Sequence, residues 1–271
     1  MLYYYVYTGH KIGLDRLKRA TAMIRAFEAN NTPCRLLVND FRAGLVAREL
    51  GVMDAITIET IQDIDAVAQI GNSVIIDSPE DDHGRLEKYC QEFSVVFKWR
   101  ESASEVVRFS EKLLDGVVID PRYEEAKGEK VERKLFFFND ADYEKTLLKE
   151  RTLFEGKGVE LLLGHYFFVK YEDTLAEIFT TLHEPEEYMS LIQESSCVIT
   201  SSLQTAFEAK SAGACVYFLN LRNEPQMALD YLACNDIETI TSLEALSQTS
   251  GCMDISINQL DYLVQEICSK L

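Results

Sequence analysis

Strand-like and helix-like segments take turns along the whole chain, and that alternation leaves few folds open. Residues 2–8 (LYYYVYT) are aromatic and β-branched, and 15–30 follow with Leu17, Ala20, Ile24 and Phe27 at helical spacing. Residues 34–40 (CRLLVND) read as a strand and 41–50 as a helix, with Gly51 placed to end it. The theme repeats through strand 55–60, helix 63–70, strand 73–78, helix 85–93 and strand 94–99. A helix over 104–114 (SEVVRFSEKLL) and a strand over 116–120 (GVVID) complete the first half. Strands separated by helices of ten or so residues imply β-α-β crossovers and a parallel sheet.

Residues 121–133 (PRYEEAKGEKVER) form the one sustained polar stretch without apolar periodicity, and Pro121 opens it. The pattern then restarts with strand 134–138, helix 143–154, and strands 159–163 and 177–182. Helix 186–195, strand 197–201, helix 206–212, strand 215–219, helix 225–233, strand 238–240 and helix 257–271 finish it; residues 164–176 stay open between strand and helix. The expectation is an α/β protein of two Rossmann-like domains, 1–125 and 126–271, with parallel sheets facing a central cleft. Ligands in this class sit beyond the carboxyl ends of the strands. Chemistry is therefore expected in loops 8–16, 39–42, 77–83, 99–101, 138–143 and 201–208.

Composition excludes several alternatives. The net charge of −18 disfavours nucleic acid or an anionic membrane as a partner. No apolar run reaches the length of a membrane span, and Met-Leu-Tyr-Tyr-Tyr-Val-Tyr reads as a first strand, not a signal peptide. Seven cysteines without a C-x-x-C pair, and four scattered histidines, fit neither a zinc site nor a disulfide framework. Buried thiols in the cytoplasm are the expectation. Residues 1–50 run against the overall charge, with eight Lys or Arg against four acids. Such a basic island suits either an anionic ligand or solvated helix faces.

The most specific local signal is S-S-L-Q-T-A-F-E-A-K-S-A-G-A (201–214), which follows a strand and opens a helix. Ser201, Ser202 and Thr205 stand where hydroxyls and backbone N–H groups receive a phosphate. Glu208, one turn beyond Thr205, is placed to accept hydrogen bonds from a ribose diol, with Gln204 beside it. The same residues also read as a plain capping box, Thr205 with Glu208. In the first loop, Arg16 and Arg19 are spaced to hold an anion at a helix N-terminus while Lys18 points away; pairing with Asp15 or Glu28 is the other reading. The acidic run 79–83 (PEDDH) reads as a turn and helix cap, with Asp81 or Asp82 as the capping residue, and no metal is expected. Trp99 and Arg100, at the next strand end, suit packing or stacking on a ring.

T-A-F-E-A-K-S-A-G-A resembles the T-x-[YF]-E-A-x-x-x-G-x-P element of GT-B glycosyltransferases, with Cys215 in place of the final proline. The nearest resemblance is to the sugar-nucleotide hydrolases of pseudaminic acid synthesis, which release UDP from a 2,4-diacetamido-trideoxy sugar. K-I-G-L-D-R-L-K-R resembles their first-loop signature I-G-x-G-H-x-x-R: Gly13 and Arg19 match, while Asp15 and Arg16 stand for the Gly-His pair. In SVIIDSPED Asp77 matches, but Pro79 replaces a catalytic tyrosine. In LFFFNDADYEKTLLK Asp142, Thr146, Leu147 and Lys149 match, but Asn139 and Asp140 replace two glycines. The resemblance implies a GT-B-like fold and a nucleotide-sugar ligand, held by Gly13, Arg16, Arg19, Asn139, Asp142, Ser201, Ser202, Gln204, Thr205 and Glu208. It implies no cofactor. An arginine never gives up its proton at working pH, so Arg16 cannot act as the missing histidine. His10 and Asp15 are the remaining acid–base candidates. A non-catalytic relative working as an interaction or regulatory protein is the alternative, and the sequence assigns no oligomeric state.

Overall fold

A computed structural model describes residues 1–125, 128–246 and 258–271. The chain runs β1 (Leu2–Val6), α1 (Asp15–Ala29), β2 (Cys34–Val38), α2 (Phe41–Glu49), β3 (Ala55–Thr57), α3 (Ile64–Val67) and β4 (Ser73–Asp77). It continues through α4 (Arg85–Glu92), β5 (Val95–Trp99), β6 (Lys112–Leu114), α5 (Pro121–Glu125), β7 (Val131–Phe137), α6 (Thr146–Lys149) and β8 (Glu160–Leu162). α7 (Val169–Leu175), β9 (Thr181–His183), α8 (Tyr188–Glu194), β10 (Ser195–Thr200), α9 (Leu203–Ser211), β11 (Cys215–Leu219), α10 (Gln226–Cys234), β12 (Glu238–Ile240) and α11 (Leu260–Cys268) complete it.

Two compact units result. Unit 1 holds Met1–Gly9, Arg16–Val118 and Asn258–Leu271; unit 2 holds His10–Asp15 and Ile119–Ile257. Unit 1 contains a six-stranded sheet in the order β3-β2-β1-β4-β5-β6, and unit 2 one in the order β12-β11-β10-β7-β8-β9. Every strand pairing is parallel. In each sheet the first strand lies centrally, the next two extend to one side and the last three to the other. That is the Rossmann order, with a switch point at β1/β4 in unit 1 and at β7/β10 in unit 2.

The central strands are apolar runs buried on both faces, as parallel strands covered by helices must be. All of β1 is buried, and α1 turns Leu17, Ala20, Met23, Ile24 and Phe27 inward. In unit 2, Phe136, Phe154, Leu161, Ile199 and Tyr217 share one core cluster. The division expected at 125/126 falls beside residues 126 and 127, outside the described residues; contacts change unit earlier, after Val118. The expected assignment of the C-terminal helix to the second domain is corrected, because α11 belongs to unit 1. Its start is tied there by reciprocal bonds, Gln259 N to Val117 O (2.9 Å) and Val117 N to Gln259 Oε1 (3.1 Å). Gly116 permits the approach: its φ is +129°, and a Cβ there would lie 2.0 Å from Gln259 Oε1.

The expected helix over 104–114 does not form. A side chain takes backbone groups that a helix would use: Glu111 accepts from Arg108 N (2.7 Å) and Phe109 N (2.9 Å). Val106, Val107 and Phe109 are left exposed, and the sixth strand is Lys112–Leu114 instead of 116–120. The strand expected over 177–182 shrinks to Thr181–His183, because Ile178 and Phe179 donate back to Leu175 O and close α7. The polar stretch 121–133 is not a plain linker, since it supplies α5 and the start of β7. The cysteines are less buried than expected: Cys34, Cys90, Cys197, Cys215 and Cys268 are half-buried and Cys234 is exposed, while Cys252 lies outside the described residues.

Candidate functional site

The loop from β10 into α9 lies at the switch point of unit 2. Ser202 caps α9, its Oγ accepting from Thr205 N at 3.1 Å. This overturns the capping-box reading of Thr205 and Glu208, which both lie inside the helix. Ser202 Oγ also lies 2.8 and 2.9 Å from the two carboxylate oxygens of Asp15 and 2.8 Å from Thr205 Oγ1. Thr205 Oγ1 lies 2.7 Å from the Tyr188 hydroxyl, which donates to Glu208 Oε2 at 2.6 Å. Gln204 Nε2 donates to Glu208 Oε1 at 2.9 Å, and the Tyr123 hydroxyl also bonds Glu208. Asp15, Ser202, Gln204, Thr205 and Glu208 are thus brought into one connected cluster. Glu208 is 2% exposed, and its charge is compensated by hydroxyl and amide donors. Burial first, and then this carboxylate, push the phenols of Tyr188 and Tyr123 far above the ordinary tyrosine value. Ser201 stands apart, donating to Leu219 O at 2.5 Å and joining β10 to β11.

Loop 138–142 follows β7 on the other side of this switch point. Asn139 and Asp140 are buried, and Asn139 Oδ1 accepts from Asp140 N at 2.6 Å. Gly13 sits directly against Asn139: its φ is +84°, and a Cβ would fall 2.0 Å from Asn139 Oδ1. The Asn139 side chain therefore fills the space beside Gly13. Asp142 is occupied locally, accepting from Thr146 N (2.7 Å), Leu147 N (3.0 Å) and the Tyr171 hydroxyl. His10 is exposed and rests 5.4 Å from the Tyr143 ring, with Lys11 over the same ring at 5.3 Å.

Arg16 and Arg19 lie in the first turns of α1 in unit 1, at the β1/β4 switch point. Their partners are not Asp15 or Glu28. Arg19 makes a two-pronged pair with Asp77, Nε at 2.9 Å and a terminal nitrogen at 2.6 Å, and stacks 3.9 Å over Trp99. Arg16 reaches Glu101 at 2.6 Å and Asp77 at 3.4 Å. Asp77 is fully buried at the end of β4; Tyr4 donates to it at 3.2 Å and Trp99 Nε1 donates to Tyr4 at 2.7 Å. Burial opposes the charge on Arg19, but Asp77 outweighs it and holds the guanidinium above its ordinary value. Lys18, expected to point away, is buried.

The sequence reading missed two groups. Tyr123 lies in the polar stretch 121–133 and Tyr188 in the helix expected over 186–195, and neither position by itself signals that its hydroxyl meets a buried carboxylate. The second is a pair, Asp140 with His165 Nδ1 at 2.8 Å, with Asp140 fully buried. The loops carrying them touch so closely that a Cβ on Gly164 would lie 2.5 Å from Asn139 O. The acidic run 79–83 is a turn, but neither Asp81 nor Asp82 is the N-cap of α4: Gly84 holds that position in a left-handed conformation, while Asp82 accepts from Gly84 N (2.8 Å) and Leu86 N (3.4 Å) and pairs with Arg108.

No protein-family model matches the chain, and no curated protein sequence matches it. Solved structures do. The UDP-GlcNAc 2-epimerase of Methanocaldococcus jannaschii, in complex with UDP-GlcNAc and UDP, superimposes with a TM-score of 0.59 at 10% identity, covering 99% of this chain and 100% of that one. A putative UDP-N-acetylglucosamine 2-epimerase from Listeria monocytogenes gives 0.53 at 11% identity, covering 99% and 87%. CalG4, the calicheamicin glycosyltransferase, gives 0.51 at 9% identity, covering 99% and 94%. At these identities the likeness shows the fold: two Rossmann-like domains of the GT-B kind.

Proposed function

We propose that the chain binds a nucleotide sugar, a UDP-sugar in the first instance, through unit 2. The observation that carries this reading is the cluster of Ser202, Thr205, Gln204 and Glu208 where β10 opens into α9 at the β7/β10 switch point. The N-terminus of α9 and the hydroxyls of Ser202 and Thr205 suit a diphosphate. Glu208 suits a ribose diol, whose hydroxyls would take the place of the Gln204 amide. The UDP complexed with the Methanocaldococcus epimerase supports uridine as the base to try first. The resemblance of the sequence motifs supports a place in surface-glycan or nonulosonic-acid synthesis in the cytoplasm. The test is a thermal-shift panel of UDP, CMP, GDP and their sugars. A ligand at one hundred times its Kd adds about 2.7 kcal/mol. The expected result is a rise in melting temperature with uridine nucleotides; a flat response across the panel contradicts the reading.

Specific observations favour a second reading, in which the chain binds without catalysing hydrolysis. Arg16, where the resembling hydrolases carry histidine, is held by Glu101 and Asp77, and Asn139 fills the space at Gly13. General acid–base help contributes about 10²–10⁴-fold, so its loss lowers turnover toward background. The expected outcome is no UDP release from the 2,4-diacetamido-trideoxy UDP-sugar at high protein concentration. Turnover equal to that of an active hydrolase would reject this second reading.

A further inference from the structure

We propose that Cys197 and Cys215 form a dithiol that a disulfide oxidant, oxidised glutathione for example, closes into an intrachain bond. β10 and β11 are parallel neighbours, and Cys197 and Cys215 are direct register partners. Residues so paired project to the same face, with strands about 4.8 Å apart. A disulfide spans Cα separations of about 4.4–6.8 Å. Both side chains pack against the same cluster, which contains Phe136, Ile199 and Tyr217. Both residues are half-buried, so a small oxidant has a route to the pair. The pair lies toward the amino ends of β10 and β11, at the other end of β10 from Ser201, and is independent of the nucleotide-sugar reading. Cys215 also stands where the resembling motif has proline, so the pair comes from this sequence and not from the motif.

The chemistry balances without a metal or a further co-reactant. One protein thiolate attacks the sulfur–sulfur bond of oxidised glutathione and expels one glutathione thiolate, leaving a mixed disulfide. The second cysteine then attacks the protein sulfur of that adduct and expels the other glutathione. The net result is two protein thiols oxidised, one disulfide formed and two glutathione molecules released. The contact with Cys215, followed by burial, pushes the Cys197 thiol up, while Lys134, its register partner on β7, opposes that. The reaction is therefore slow at neutral pH and speeds up as the pH rises.

The test uses the full chain with Cys34, Cys90, Cys234, Cys252 and Cys268 each changed to serine, so that Cys197 and Cys215 are the two thiols left. The protein is incubated with oxidised glutathione at mildly alkaline pH, alkylated and mapped by peptide mass. The expected product has lost two hydrogens and yields a linked peptide joining 197 to 215 that dithiothreitol separates. Cys215→Ser is expected to leave a lasting glutathione adduct on Cys197 and no link. Glutathione adducts without a link in the parent, or a link that forms only in denaturant, overturns the proposal.

Discussion

Glu208 and Asp77 show how differently two buried carboxylates are kept. Glu208 accepts from the neutral donors of Tyr188, Gln204 and Tyr123, with the Arg122 charge nearby, so a ligand hydroxyl can replace one donor without leaving a partner charge unpaired. Asp77 is matched by a guanidinium in a two-pronged pair, and removing it strands Arg19. Breaking such a pair typically costs about 3–5 kcal/mol. Asp77→Asn is accordingly expected to lower the unfolding free energy measured by urea titration by an amount of that order, and a change below about 1 kcal/mol would show that solvent already screens Arg19. Asp82 supplies a pH dependence. Burial opposes its charge, but Arg108 and the Gly84 and Leu86 N–H groups overcome that and hold the carboxyl below its ordinary value. Its contribution is complete above the unfolded carboxylate value of about 3.9 and is lost as pH falls from there through the lower folded value. Stability measured from neutral pH down to about pH 3 should fall less steeply in Asp82→Asn than in the parent; parallel curves would contradict this account.

At the scale of elements, legibility followed burial. β1, β4 and β10 were readable because they are central strands whose apolar runs have no competing pattern, and α1 because one face is apolar throughout. The segment 104–114 was not, since its apolar residues have helical spacing yet Glu111 takes the N–H groups of Arg108 and Phe109. Such local competition between side chains and the backbone is not contained in a propensity scale. In the site, Ser202, Thr205 and Glu208 were legible from the strand–loop–helix motif. Tyr123 and Tyr188 were not, because their meeting depends on α5 and α8 packing near α9. The terminal helix was read correctly as a helix but placed in the wrong half. Leu260, Leu263, Val264 and Ile267 form its buried face, so Leu263→Ala is expected to destabilise unit 1 by about 2–5 kcal/mol. Hydrogen exchange that quickens in β1 and β2 while unit 2 stays protected would support this placement, whereas a loss of protection confined to unit 2 would oppose it.

For the whole molecule, the two sheets repeat one plan, and the same plan locates a switch point in each. In unit 1 that point is filled by a self-compensated network of Arg16, Arg19, Asp77 and Glu101. In unit 2 it carries hydroxyls, a helix N-terminus and a carboxylate whose donors are neutral. This asymmetry is the reason for proposing unit 2, and not unit 1, as the place where a nucleotide would bind. Among the described residues no helix is long and apolar enough to cross a membrane. The most direct measurement is titration calorimetry of UDP into the parent and into Glu208→Gln, which keeps the side-chain volume and removes the charge. The account predicts saturable binding to the parent, weakened by about 1–3 kcal/mol in a variant whose circular dichroism is unchanged. Equal affinity in the two proteins, or no heat with the parent, would contradict it.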